Sequence, residues 1–221
     1  MSHGQSIIFE TKMEELFSFD TPRVICGTDE AGRGPLAGPV TAAAVVLPPD
    51  FPVSILADSK KLSQKQLLEA EAVIREKALC WSIRFISNEE IDEINILNAA
   101  LKAMALAFED VNAKIHVDLL MVDGNRSPRK FMTSTPQIET VVKGDDKIHE
   151  IMAASILAKT ARDRFMEDLD REYPVYGFCR NKGYPSKEHQ EAIMKYGLSP
   201  CHRKSFHLKK TSTAGQETLP L

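Results

Sequence analysis

The sequence predicts a mixed α/β fold, and three observations carry that expectation. Short β-branched runs come first, helical periodicities alternate with later runs, and three of the runs lead into acidic residues. Val24–Asp29 and Val40–Leu47 read as buried strands joined by a Gly/Pro turn, after which Pro48, Pro49 and Pro52 break regular structure. Ser63 reads as the N-cap of a helix to about Ala78, and Trp81–Ser87 alternates as a third strand. Asn88 is expected to cap a short helix, Glu89–Glu93. Leu97, Leu101, Met104, Ala105 and Phe108 recur at helical spacing within Leu97–Val111. Asp118–Asp123 and Glu139–Val142 read as two more strands, each leading to an aspartate. A long helix spans about Ile148–Glu172, stopped by Pro174, and a shorter one runs from Ser186 to Tyr196.

Length and composition set the frame. At 221 residues the chain can bury one sizeable core, and it shows no internal repeat. One domain is expected over residues 23–208, including a basic helical segment at about 180–208. An extension, 1–22, precedes it, and a polar, flexible tail, 209–221, follows. No apolar run exceeds Ala42–Leu47, far too short to cross a bilayer, and Glu10, Glu14 and Glu15 interrupt any signal-peptide pattern. A cytoplasmic monomer is expected. Cys26, Cys80, Cys179 and Cys201 are scattered, as reduced thiols are, and Cys179, Cys201, His202 and His207 match no zinc spacing. The net charge of −3 hides an asymmetry: residues 180–210 hold eight Lys/Arg against Glu188 and Glu191. A basic segment on an acidic body suits a polyanion held beside carboxylates.

The stretch Thr28-Asp29-Glu30-Ala31-Gly32-Arg33-Gly34-Pro35 is the richest in chemistry. Adjacent carboxylates at the end of an apolar run are unfavourable without a neighbouring cation, and a metal ion is the usual one. The glycines let backbone approach a ligand closely, and Arg33 offers a fork of donors for a phosphate. Strand alternation sends Asp29 and Glu30 to opposite faces. Both serve one centre only if the strand twists or ends there, or if Glu30 offers its main-chain carbonyl.

Asp-Glu-Ala-Gly-Arg-Gly-Pro-Leu-Ala-Gly-Pro-Val closely resembles the signature of the ribonuclease HII family, the type 2 ribonucleases H. The resemblance continues in order through Asp58-Ser59-Lys60-Lys61-Leu62-Ser63, Asn95-Ile96-Leu97-Asn98-Ala99 and Val122-Asp123-Gly124-Asn125. It is completed by Lys143-Gly144-Asp145, Ala153 to Lys159, Asn181-Lys182-Gly183-Tyr184-Pro185 and His202-Arg203-Lys204-Ser205-Phe206. It implies a ribonuclease H-like mixed sheet flanked by helices, with a C-terminal helical segment. It also implies an endonuclease for the RNA strand of RNA–DNA hybrids and for ribonucleotides embedded in duplex DNA, leaving 5′-phosphate and 3′-hydroxyl ends. Such work belongs to DNA replication and repair.

By the same resemblance Asp29, Glu30, Asp123 and Asp145 are the catalytic, metal-binding residues, with Asp146 the neighbour most easily confused with Asp145. Hard oxygen ligands without a His/Cys cluster point to Mn²⁺ or Mg²⁺, one ion or two. The resemblance assigns recognition of the 2′-hydroxyl to Gly32, Arg33 and Gly34 and the sugar beside it to Tyr184, with Ser59, Lys60 and Lys61 as phosphate contacts. Taken alone, Tyr184 in Gly-Tyr-Pro reads as a turn aromatic packed on the core and Lys159 and Arg162 as a solvated helix face, while an N-cap of the following helix is the alternative for Asp145. The alternatives are a hybrid-binding module without catalysis and a metal nuclease acting on DNA junctions. Gln216-Glu217-Thr218-Leu219-Pro220-Leu221 resembles the peptide by which bacterial proteins dock on the replication sliding clamp. Gln216, Leu219 and Leu221 would be its contacts, against an inert tail.

Overall fold

The computed structural model describes residues 23–56 and 62–206. Its centre is one five-stranded sheet in the order β3-β2-β1-β4-β5. The strands are β1 (Ile25–Ala31), β2 (Val40–Val46), β3 (Cys80–Ile86), β4 (Leu119–Asp123) and β5 (Gln137–Val141). β1, β2 and β3 pair antiparallel, whereas β4 and β5 join β1 in parallel. The helices are α1 (Gln64–Lys77), α2 (Asn88–Ile94), α3 (Ile96–Asn112), α4 (His149–Glu172), α5 (Phe178–Asn181) and α6 (Lys187–Tyr196). No described helix is long and apolar enough to cross a membrane.

The β2 sequence Val-Thr-Ala-Ala-Ala-Val-Val dictates two cores. Its residues alternate faces, so Val40, Ala42, Ala44 and Val46 pack with Ala103, Ala107 and Phe108 of α3. Ala43 and Val45 pack instead with Leu67 and Ile74 of α1 and Ala153 and Leu157 of α4. The small side chains let helices close on both sides of the sheet. Gly27 takes this to its limit: a Cβ there would sit 2.2 Å from the backbone carbon of Glu150, so α4 lies directly on β1.

The local signals hold with two corrections. Ser63 caps α1 through a full capping box with Gln66. For α2 the N-cap is Ser87, which accepts from the Glu90 amide. Asn88 is the first helical residue, and its side chain reaches out to the Pro200 carbonyl at 2.9 Å. The second correction concerns the acids: β1 runs on to Ala31, and Asp145 lies in a 3₁₀ turn, Gly144–Asp146, beyond the end of β5. Nor does Asp145 cap α4, whose N-cap is Ile148 without a side-chain bond.

Candidate active site

The sheet brings the acids together by register. β1 and β4 are parallel neighbours with Thr28 opposite Val122, and the next residue on each is an aspartate, Asp29 and Asp123. Carboxyl ends of parallel strands are where open α/β sheets form clefts. Asp29 pairs with Ala43 of the α4 core and Glu30 with Ala42 of the α3 core, so the strand assigns them opposite faces. Even so, both feel the charge of Asp123.

Each carboxylate is held by its own donors. Asp29, 5% exposed, accepts from the Glu30 amide at 2.7 Å and from the Ser155 hydroxyl of α4. Glu30 faces Arg33 Nη1 at 3.2 Å. Asp123 accepts from the Gly144 amide at 2.7 Å, which ties the Lys143-Gly144-Asp145 turn to the end of β4. Asp145 is buried and its charge reaches Asp123, while Asp146 is exposed. The Lys-Gly-Asp register thus puts the first of the two aspartates at the cluster.

Burial, then the charges of Glu30 and Asp123, raise the Asp29 carboxyl well above its ordinary value. Burial likewise raises Glu30, with Arg33 opposing it and Asp123 adding to it. Burial raises Asp123; the Gly144 amide opposes and Asp145 adds. An all-oxygen set of mutually repelling carboxylates, Asp29 and Asp145 buried and Glu30 and Asp123 partly so, fits a hard divalent cation, whose charge would offset both burial and repulsion. Among the described residues, however, no three His, Cys, Asp or Glu side chains stand close enough to enclose an ion as they are placed. Arg33 draws Glu30 aside, and the Gly144 amide holds Asp123.

Two buried arginines shape the adjoining turn. Arg203, 1% exposed, donates to the carbonyls of Gly32, Arg33, Pro35, Gly38 and Pro39 at 2.6–3.1 Å. Arg162, 2% exposed, donates to Ala37, Pro39 and Lys182. These overturn two expectations: Arg203 is no part of a basic surface, and Arg162 does not lie on a solvated face. Gly32 has φ +94°, and a Cβ there would meet Arg162 Nε at 2.0 Å, so this position needs glycine for backbone and for space.

A cavity of about 500 Å³ opens beside the turn, lined by Glu30, Gly32, Arg33 and Gly34 together with Tyr184. From α4, Ser155, Lys159, Arg162 and Asp163 form one helical stripe along its wall; Arg180 and Lys182 complete it. Tyr184 is 49% exposed, and a Cβ on Gly34 would touch its ring at 3.3 Å, so it is not the core-packed turn aromatic its local sequence suggests. The sequence names Ser155, Arg180 and Lys182 only within longer motifs or the basic segment and gives none of them a site role; the i, i+4, i+7 spacing of Ser155, Lys159 and Arg162 is the signal for Ser155. Ser59, Lys60 and Lys61 lie outside the described residues, as do Gln216, Leu219 and Leu221.

Comparison with known proteins agrees with this architecture. The family model described as Ribonuclease HII matches residues 26–209. A Ribonuclease HII of Vibrio parahaemolyticus is 50% identical over 195 residues, covering 87% of this chain and 90% of the relative. The crystal structure of the ribonuclease H2 from Pyrococcus horikoshii superposes with a TM-score of 0.68 at 26% identity, covering 82% of this chain and 93% of that one. A structure of the PCNA:RNase HII complex from Archaeoglobus fulgidus shares the fold, with a TM-score of 0.69 at 23% identity over 86% of this chain and 98% of that chain. With the family model covering all but the first residue of the sheet and both aspartate-bearing strand ends, the chain belongs to the ribonuclease HII family of metal-dependent endoribonucleases.

Proposed function

We propose that this protein hydrolyses the RNA strand of RNA–DNA hybrids and cuts at ribonucleotides embedded in duplex DNA, with Asp29, Glu30, Asp123 and Asp145 as its metal-binding carboxylates. One observation carries the reading. Glu30, the Gly32-Arg33-Gly34 turn and Tyr184 share one cavity, and Asp29, the residue before Glu30 on β1, lies beside Asp123 at the end of β4. A group that reads a 2′-hydroxyl is thereby within reach of groups suited to phosphodiester hydrolysis.

Divalent cation bound there supplies charge neutralisation and a lowered water pKa. The chain's own residues do the rest. Five cations line the cavity, Arg33, Lys159, Arg162, Arg180 and Lys182, against Glu30 and Asp163. Arg162 is spent on main-chain carbonyls, so the other four suit a phosphate backbone, and each of those is held by an acid: Arg33 by Glu30, Lys159 by Asp163, Arg180 by Glu188 and Lys182 by Glu167. The Arg203 guanidinium holds the carbonyls of Gly32 and Arg33, and that of Arg162 holds Ala37 and Pro39 just beyond, so the turn meets a sugar already shaped. Tyr184 offers a ring for the neighbouring sugar across Gly34. Both Mn²⁺ and Mg²⁺ suit the oxygen donors. The tail around Gln216, Leu219 and Leu221 would tether the enzyme to a sliding clamp, raising local concentration without changing the site.

The test is cleavage of a duplex bearing one ribonucleotide, with Mg²⁺, with Mn²⁺ and with chelator. A metal-dependent cut leaving 5′-phosphate and 3′-hydroxyl ends supports the reading. Binding without cutting under every metal condition would make the protein a hybrid-binding module.

A further inference from the structure

Behind Tyr184 lies a pair of buried histidines that the reading above does not use. His202 Nε2 and His189 Nε2 are 3.0 Å apart. The Ser199 amide points at His202 Nδ1 from 2.9 Å, and the Ser199 hydroxyl from 2.7 Å. At the other end, His189 Nδ1 stands 2.9 Å from the Tyr184 carbonyl. That carbonyl also accepts from the Ser186 amide at 2.8 Å.

The two ends dictate one arrangement of protons. A backbone amide can only donate, so His202 Nδ1 is bare and its proton sits on Nε2. That Nε2–H must donate to His189 Nε2, which leaves the His189 proton on Nδ1, aimed at the Tyr184 carbonyl. A carbonyl can only accept, so the far end demands the same order. A proton added to either ring would set two N–H groups face to face. Tyr176 and Phe178 wall the pair, with ring centroids 4.9 Å and 5.8 Å from His202. Among the described residues, the Cys201 thiol, beside Ser199, and the Tyr176 phenol, bonded to the Gly197 carbonyl, also face the pair. Burial, reinforced for His202 by His189, lowers both imidazoles, His202 to about 4, so both are neutral at neutral pH.

We infer that His202 and His189 are positioning residues: the line of hydrogen bonds from Ser199 to the Tyr184 carbonyl sets where the Tyr184 ring stands against Gly34, and so how tightly a ribonucleotide junction is gripped. This rests on the reading of Tyr184 as a sugar contact. Asn181 holds the other side of the same residue, accepting from the Tyr184 amide at 2.8 Å through its carbonyl. Gly183, at φ +83°, lets the strand of chain pass within contact of the Ala37 carbonyl. Tyr184 is thus gripped at its backbone on both sides while its ring is left exposed.

The test is a double-mutant cycle on a single-ribonucleotide duplex, comparing the wild type with His189→Leu, His189→Asn, Tyr184→Ala and the His189→Leu/Tyr184→Ala pair. His189→Leu removes the donor to Tyr184; asparagine can restore one near Nδ1. The expected result is a KM raised by about 3- to 10-fold in His189→Leu, the worth of roughly one hydrogen bond, with kcat and affinity for all-DNA duplex within about twofold. His189→Asn recovers the KM, and His189→Leu adds nothing once Tyr184 is alanine. Tyr184→Ala without effect on KM would overturn the reading of Tyr184 itself. Additive losses in the pair, with Tyr184→Ala harmful alone, would overturn the positioning role and leave that reading standing. Should His189→Leu not fold, imidazole ¹⁵N spectra of the wild type decide. Protons on His202 Nε2 and His189 Nδ1 support the inference, and any other tautomer pair overturns it.

Discussion

Arg203 donates from Nη2 to the carbonyl of Gly32 at 2.6 Å, across 171 residues of sequence. The C-terminal segment thus reaches back to brace the turn beside the carboxylates. Asp92 holds that segment in place, accepting from the amides of Lys204 at 2.8 Å and Ser205 at 2.9 Å.

Arg203→Lys is expected to cost roughly 2–4 kcal/mol of stability, because an ammonium cannot serve five carbonyls and several are left buried without donors. Urea unfolding checks this. If Arg203 were a surface phosphate contact instead, the substitution would weaken substrate binding and leave the unfolding midpoint where it was.

Gly32→Ala and Gly34→Ala should separate. At Gly32 the new Cβ meets Arg162 Nε at 2.0 Å under a positive φ, so both stability and activity fall sharply. At Gly34 the contact is 3.3 Å from a ring atom of the exposed Tyr184, so the fold should hold while KM for a lone ribonucleotide rises. Melting temperatures and KM values of the two variants test the contrast.

Acid should weaken the fold through the histidine pair. A group whose folded pKa is depressed keeps its full contribution above its unfolded value, near 6.5, and loses it as pH falls towards the folded one. With His202 lowered to about 4, the loss reaches at most on the order of 3 kcal/mol by that pH. His202→Gln, which does not titrate, should flatten the stability curve between pH 6.5 and 4.5. An unchanged curve would mean His202 is protonated in the fold at ordinary acidity.

Metal addition should raise the melting temperature, since a cation bound to the cluster offsets the repulsion among Asp29, Glu30 and Asp123. Asp29→Asn removes part of that repulsion. Metal-free, it should melt higher than the wild type, by about 2–4 °C per kcal/mol relieved, and gain less from Mn²⁺. Equal gains in the two proteins would place the ion elsewhere.

Much of this was legible in the sequence because it is local. The alternation of β2, the Ser63–Gln66 capping box and the helical period of α3 are fixed by residues a few positions apart. Two apolar runs that each lead into an acid are legible too, but that β1 and β4 are neighbours, which sets Asp29 beside Asp123, is not. What stayed hidden depends on distant packing. Nothing near Arg162 or Arg203 announces that each will be buried under the carbonyls of residues 32–39, so both read as surface cations. Ser87 and Asn88 are both good caps, and Asn88 lost the role because its side chain found the Pro200 carbonyl.

Single-turnover cleavage of a one-ribonucleotide duplex by Asp123→Asn, at saturating Mn²⁺ and alongside its affinity for that duplex, tests the central claim most directly. The account predicts a rate lower by about a hundredfold or more with affinity near that of the wild type, since a carboxylate on β4 serves the charged transition state and the turn and Tyr184 serve binding. A near-normal rate from the well-folded variant would contradict it.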